Sequence, residues 1–158
     1  MRHIVTALAL ILIPILAIAQ EIEPVHVNGN VYMLKGAGGN IGLAIGEDGN
    51  FLVDDQYGKM SEKIAAAVKA LDPRPIKFVI NTHSHPDHTG SNEFLANTGS
   101  IIIAHEDVRK SLAVEQFVPY FNNHRDALPE AALPVVTFTR DLTFHMNDVT
   151  EYHQTFQN

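Results

Sequence analysis

Ile76-Lys77-Phe78-Val79-Ile80-Asn81-Thr82-His83-Ser84-His85-Pro86-Asp87-His88-Thr89-Gly90 decides how the rest of the chain reads. Its first five residues form a short, mostly apolar run between prolines and a polar loop, the pattern of a strand buried on both faces. Three imidazoles and a carboxylate then crowd into the loop at the carboxyl end of that strand, where open α/β sheets place their sites. In an extended segment His83 and His85, two residues apart, project to the same side and grip one ion. Pro86 stops the strand. Asp87 and His88 are adjacent, so their side chains diverge after the turn and suit a second ion beside the first. Imidazole and carboxylate without sulfur suit zinc best, with iron or manganese compatible with the same donors. The competing reading is a polar surface loop in a chain with nine histidines, and it leaves the tight spacing unexplained.

Upstream, Val25-His26-Val27, Asn28-Gly29-Asn30 and Val31-Tyr32-Met33-Leu34 read as strand, tight turn and strand. Gly42-Leu43-Ala44-Ile45 and Asn50-Phe51-Leu52-Val53 flank Glu47-Asp48-Gly49 and repeat the device, which predicts an antiparallel sheet. A helix is expected from Ser61 as N-cap, with Ile64, Val68 and Leu71 on one face and Asp72-Pro73 ending it. Downstream, a short helix is expected over 92–96, a buried strand over 101–104 and a helix over 106–116 with Val108, Leu112 and Gln116 on one face. Residues 117–133 lack periodicity and are punctuated by Pro119 and Pro129. Their aromatics Phe117, Tyr120 and Phe121 either pack as core, the commoner fate, or line a cleft. Residues 134–138 and 142–145 read as two further strands, followed by a polar tail.

The composition is that of one globular domain, with 46% hydrophobic and 18% charged residues among 158. Eleven Lys and Arg stand against eighteen Asp and Glu, a formal charge of −7. No nucleic-acid footprint is expected on such a chain, and small molecules are the expected partners. There is no cysteine, so disulfides and thiolate sites are excluded. Arg2 and His3 precede an apolar run over 4–18 that Pro14 interrupts and Ala17-Ile18-Ala19 closes. This predicts a signal peptide over 1–19, a periplasmic or secreted mature domain over 20–158, and no stable membrane association after cleavage.

His83-Ser84-His85-Pro86-Asp87-His88 resembles the His-x-His-x-Asp-His signature of the metallo-β-lactamase superfamily, with Thr82 and Thr89-Gly90 in its usual setting. The order of hairpins, acid-ended strand, helix and pre-motif strand is similar over most of the expected mature chain. The resemblance implies an α/β (α+β) fold, the N-terminal portion of an αββα sandwich. It also implies two Zn2+ per complete site, His83 and His85 holding one and Asp87 and His88 the other. The implied reaction is hydrolysis, a metal-activated hydroxide attacking an ester, thioester, lactone or β-lactam carbonyl, with Asp87 orienting the hydroxide. Asp54 resembles an acidic residue that supports the site from behind, fixing a histidine tautomer; a turn-capping role stands equally open. Family members supply a further His, a bridging Asp and a last His from their C-terminal half. Nothing from Asp148 onward matches those, so the expectation is an N-terminal half to two-thirds of a longer domain and a poor catalyst. A catalytically inactive remnant that keeps part of the metal site is the alternative. His26, His105, His124, His145 and His153 lack paired spacing and are read as surface or satisfied residues.

Overall fold

The computed structural model describes residues 20–119, 122–147 and 149–155. The expected leader over 1–19 lies outside the described residues, as do Tyr120 and Phe121. Four strands come first: β1 (Glu23–Asn28), β2 (Val31–Lys35), β3 (Ile41–Ala44) and β4 (Asn50–Val53). They pair antiparallel in sequence order, with Val25 opposite Met33, Tyr32 opposite Leu43 and Leu43 opposite Leu52. From β4 onward the chain crosses over. Helix α1 (Ser61–Leu71) leads to β5 (Ile76–Asn81), then α2 (Pro86–Thr89) and α3 (Asn92–Asn97) to β6 (Ile101–His105). Helix α4 (Glu106–Leu112) and the hairpin of β7 (Gln116–Val118) with β8 (Asn123–Arg125) precede β9 (Val136–Phe138). The result is one sheet in the order β1-β2-β3-β4-β5-β6-β9, parallel from β4 to β9. A last hairpin joins β10 (Asp141–Met146) to β11 (Val149–Thr155).

Alternation along the central strands divides the core between the two faces of the sheet. Leu43, Leu52, Val79 and Ile102 point to one face, where Ile64 and Val68 of α1 and Leu95 of α3 cover them. Ala44, Phe51, Ile80 and Ile103 point to the other, packed with Phe138, Phe78, Leu142 and Phe144. Burial on both faces is why β4, β5 and β6 read as nearly continuous apolar runs, each side chain contributing about 1.5–3 kcal/mol when fully buried. The β10–β11 hairpin sits over the second face: Phe144 lies 5.5 Å from the ring centroid of Phe51 and 5.5 Å from that of Phe78. It is fastened at its turn by Asn147, at φ 57°. Asn147 N donates to Asp48 Oδ2 (2.8 Å), Asp48 N to Asn147 Oδ1 (2.9 Å) and Asn147 Nδ2 to Gly49 O (2.7 Å). Asn30 Nδ2 donates to the Asn147 carbonyl at 2.9 Å.

Several local readings change. Ser61 is the first helical residue rather than the N-cap; a 3-10 turn over Gly58–Met60 precedes it, and its hydroxyl bonds Gly58 O and Ser91 Oγ. The expected helix over 106–116 stops at Leu112, and Gln116 belongs to β7, because the Leu112 carbonyl accepts instead from Leu128 N as the chain turns back. Phe117 is half exposed rather than core. The polar tail contains β11, whose partner strand supplies what its own composition does not. Strand β5 ends at Asn81, and Pro86 begins a helical turn instead of stopping a strand.

Candidate metal centre

Beyond Asn81 the chain bends through residues 82–84, and His85 stands at the N-cap position of α2, whose single turn carries Asp87 and His88. Proline at the first helical position costs no hydrogen bond there and presets φ. The short helix therefore brings its last residues back over the bend. His83 and His85 ring centroids are 4.6 Å apart, and those of His83 and His88 4.0 Å. Asp87 and His88 do not diverge as adjacency implied; Asp87 Oδ2 is 3.4 Å from His88 Nε2. His85 is exposed, while His83, Asp87 and His88 are partly buried.

Asp54 organises this cluster from below. It follows β4 directly, at φ 65°, and is almost wholly buried. Its Oδ1 accepts from Thr82 N at 2.7 Å and its Oδ2 from Thr82 Oγ1 at 2.8 Å and from His88 Nδ1 at 2.7 Å. The Thr82 hydroxyl has one proton and gives it to the carboxylate, so it accepts from His83 Nδ1, 2.9 Å away. One carboxylate thus fixes two tautomers, His88 directly and His83 through Thr82, and leaves the Nε2 lone pair of each ring uncommitted by these bonds. Burial first, then His88 and His85, hold the His83 imidazole below its ordinary pKa, which favours the neutral ring that such a lone pair requires.

The remaining walls are backbone. The His88 carbonyl accepts from Asp55 N (3.1 Å) and Asn81 Nδ2 (3.0 Å). A Cβ on Gly38 would stand 2.7 Å from Asp87 Cβ, and one on Gly39 2.7 Å from His88 Cε1. Only a chain without side chains passes this close to the cluster. From the other side, Arg125 Nη1 of β8 donates to the Ser84 carbonyl, and Ser84 Oγ lies 3.2 Å from Ser111 Oγ. Asp55 is buried behind Asp54, and that burial pushes its carboxyl well above the ordinary range although Ser91 N donates to it at 2.9 Å.

The other histidines lie elsewhere. His105 closes β6 and caps α4, Nδ1 accepting from Asp107 N and Nε2 bonding Thr139 O. His124 pairs with Glu115, His26 bonds Gly29 O and His145 is exposed. Among the described residues no group of three or more His, Asp or Glu side chains is already arranged to hold an ion. The donor chemistry nonetheless suits one: metal-binding histidines are commonly held by an oxygen at one ring nitrogen, as His83 and His88 are at Nδ1. Sequence reasoning missed Gln56, Asn81 and Arg125. Asn81 closes an apolar strand, and a polar residue at that buried position is its only signal in the sequence; Gln56 and Arg125 carry no local signal.

A mixed sheet with a histidine-rich loop at the end of a central parallel strand, backed by a buried carboxylate, defines the class of fold. The chain belongs to the metallo-beta-lactamase superfamily, whose model matches residues 34–155. No curated protein sequence matches it. Among solved structures, a B3 metallo-beta-lactamase with an active-site glutamic acid superposes with a TM-score of 0.64 at 24% identity, over 79% of this chain and 48% of that one. The subclass B3 enzyme of Bradyrhizobium japonicum gives 0.64 at 19% identity, over 81% and 49%. A metallo-beta-lactamase of Cronobacter sakazakii gives 0.63 at 22%, over 82% and 51%. At these identities the likeness is one of fold. The chain spans about half the length of these solved relatives, which agrees with the N-terminal portion of the family fold.

Proposed function

We propose that residues 20–158 form the metal-binding part of a zinc-dependent hydrolase, with His83 and His85 holding one ion and Asp87 and His88 a second. The observation that carries this reading is the Asp54 network, which engages Nδ1 of both His83 and His88 and so keeps Nε2 as the ring nitrogen for an ion, His88 Nε2 standing 3.4 Å from Asp87 Oδ2. Bound there, zinc supplies Lewis-acid polarisation of an acyl carbonyl and makes water more acidic; iron or manganese suits the same donors. Asp54 holds the two imidazoles in one tautomer and one orientation. Asp87, partly exposed at the rim, orients the attacking water as well as binding metal. The substrate is a small molecule with an ester, thioester, lactone or β-lactam carbonyl.

A second reading, metal uptake without turnover, is favoured by the absence of a convergent group of three ligands among the described residues. Catalytic zinc ordinarily keeps three protein ligands and a water. Zinc titration combined with an ester and β-lactam hydrolysis screen separates the two readings, comparing this chain with one extended by a relative's C-terminal half. Zinc binding with turnover only in the extended chain is the expected result. No zinc uptake by either chain would overturn both readings.

The domain is proposed to be exported, to the periplasm or beyond, through residues 1–19. No helix among the described residues is long and apolar enough to cross a membrane. N-terminal sequencing of exported protein is expected to begin at Gln20, and recovery only of a cytoplasmic chain beginning at Met1 would refute this.

A further inference from the structure

Two residues past Asp54 lies Gln56, fully buried and, like Asp54, in the left-handed region at φ 58°. A non-glycine residue there is strained and persists only where the surroundings over-determine it. Here the surroundings are a loop of glycines. Gln56 Oε1 accepts from Gly38 N at 3.1 Å and Gln56 Nε2 donates to the Gly39 carbonyl. The amide therefore closes both ends of one peptide segment, as a neighbouring strand would. Its own carbonyl accepts from Gly90 N at 2.8 Å, on the far side of the histidine loop. A Cβ at Gly36 would fall 2.8 Å from the same amide. The segment it grips is the one that presses on the cluster, Gly38 against Asp87 and Gly39 against His88.

We infer that Gln56 is a positioning residue that clamps the 36–39 loop onto Asp87 and His88 and thereby fixes the second pair of candidate metal ligands. The inference rests on the ligand roles proposed above for those two residues. Asp54 sets the direction of the His88 ring from Nδ1; Gln56 sets its limit from the Cε1 edge, through backbone that has no side chain to yield. The two strained residues flank Asp55 and act at adjacent atoms of one imidazole, Nδ1 and Cε1.

Three measurements on the full chain test this. In the metal-free protein, Gln56→Leu is expected to move the His88 Cε1–Hε1 resonance together with the Gly38 and Gly39 amides. Zinc affinity, from competition with a chromophoric chelator, is expected to fall about ten- to a hundred-fold, as when the outer partners of metal ligands are removed. The visible absorption of the cobalt-loaded protein is expected to change shape, which a loss of stability alone would not cause. Gln56→Glu keeps an acceptor for Gly38 N and is expected to fall between wild type and Gln56→Leu; if the leucine variant does not fold, this one decides by the same readouts. A lowered melting temperature with an unmoved His88 resonance and unchanged affinity would overturn the clamp. If the wild-type chain takes up neither zinc nor cobalt, the ligand roles fall, while the His88 resonance of the metal-free variant still decides whether Gln56 holds the loop.

Discussion

Replacing His83 and His85 together with alanine is expected to abolish tight zinc uptake. The pair is half of the candidate donor set, and both rings sit in the bend beyond β5, the His83 ring 4.6 Å from His85 and 4.0 Å from His88. What remains, Asp87 and His88, offers two donors, fewer than the three or four by which zinc is ordinarily held. Neither ring belongs to the three buried core clusters, so the sheet is expected to survive. Metal analysis after dialysis checks stoichiometry, and circular dichroism checks that the fold persists. Unchanged stoichiometry in a folded double variant would place the ligands elsewhere in the chain.

Phe51→Ala is expected to lower the stability of the metal-free protein by about 3–5 kcal/mol, the usual cost of deleting a buried aromatic ring. Phe51 is 2% exposed and lies between the parallel strands and the β10–β11 hairpin, against Phe144. Its loss opens a cavity where two elements far apart in sequence meet. Domains of this size are stable by only about 5–15 kcal/mol, so such a loss is a large share of the whole. Urea unfolding followed by circular dichroism gives the value. A loss under about 1 kcal/mol, the scale of an exposed site rather than a packed one, would mean that the hairpin does not cover that face.

What the sequence disclosed was local. Asn28-Gly29 and Asp48-Gly49 mark their turns by residue type, and the apolar runs of β5 and β6 mark buried strands. The histidine loop was legible because its chemistry is concentrated in one short stretch. Elements defined by distant partners were not. Strand β11 is polar and acquires its structure from β10; β7 and β8 are three residues each and lie in a stretch without periodicity. Gln56 gave no sign because glutamine is not a residue that announces a left-handed turn, and the glycines it holds lie 17 and 18 residues away. For Asp54, a turn role and a supporting role stood equally open in the sequence. In the fold it occupies a left-handed bend, and its Oδ2 lies 2.7 Å from His88 Nδ1.

The tie between Asn147 and the β3–β4 turn bears on time as well as on architecture. Asn147 and Asp48 are 99 residues apart, and drawing such distant points together in an open chain costs about 4 kcal/mol in closure entropy, more than a pair of reciprocal hydrogen bonds returns. The tie therefore forms after the intervening strands have shortened the path between its ends. Interactions absent at the folding barrier leave the rate of folding nearly untouched and slow the reverse step. These bonds act as a latch: they set how long the β10–β11 hairpin stays docked, and with it how long the aromatic layer under Phe144 stays dry, rather than how quickly either is reached.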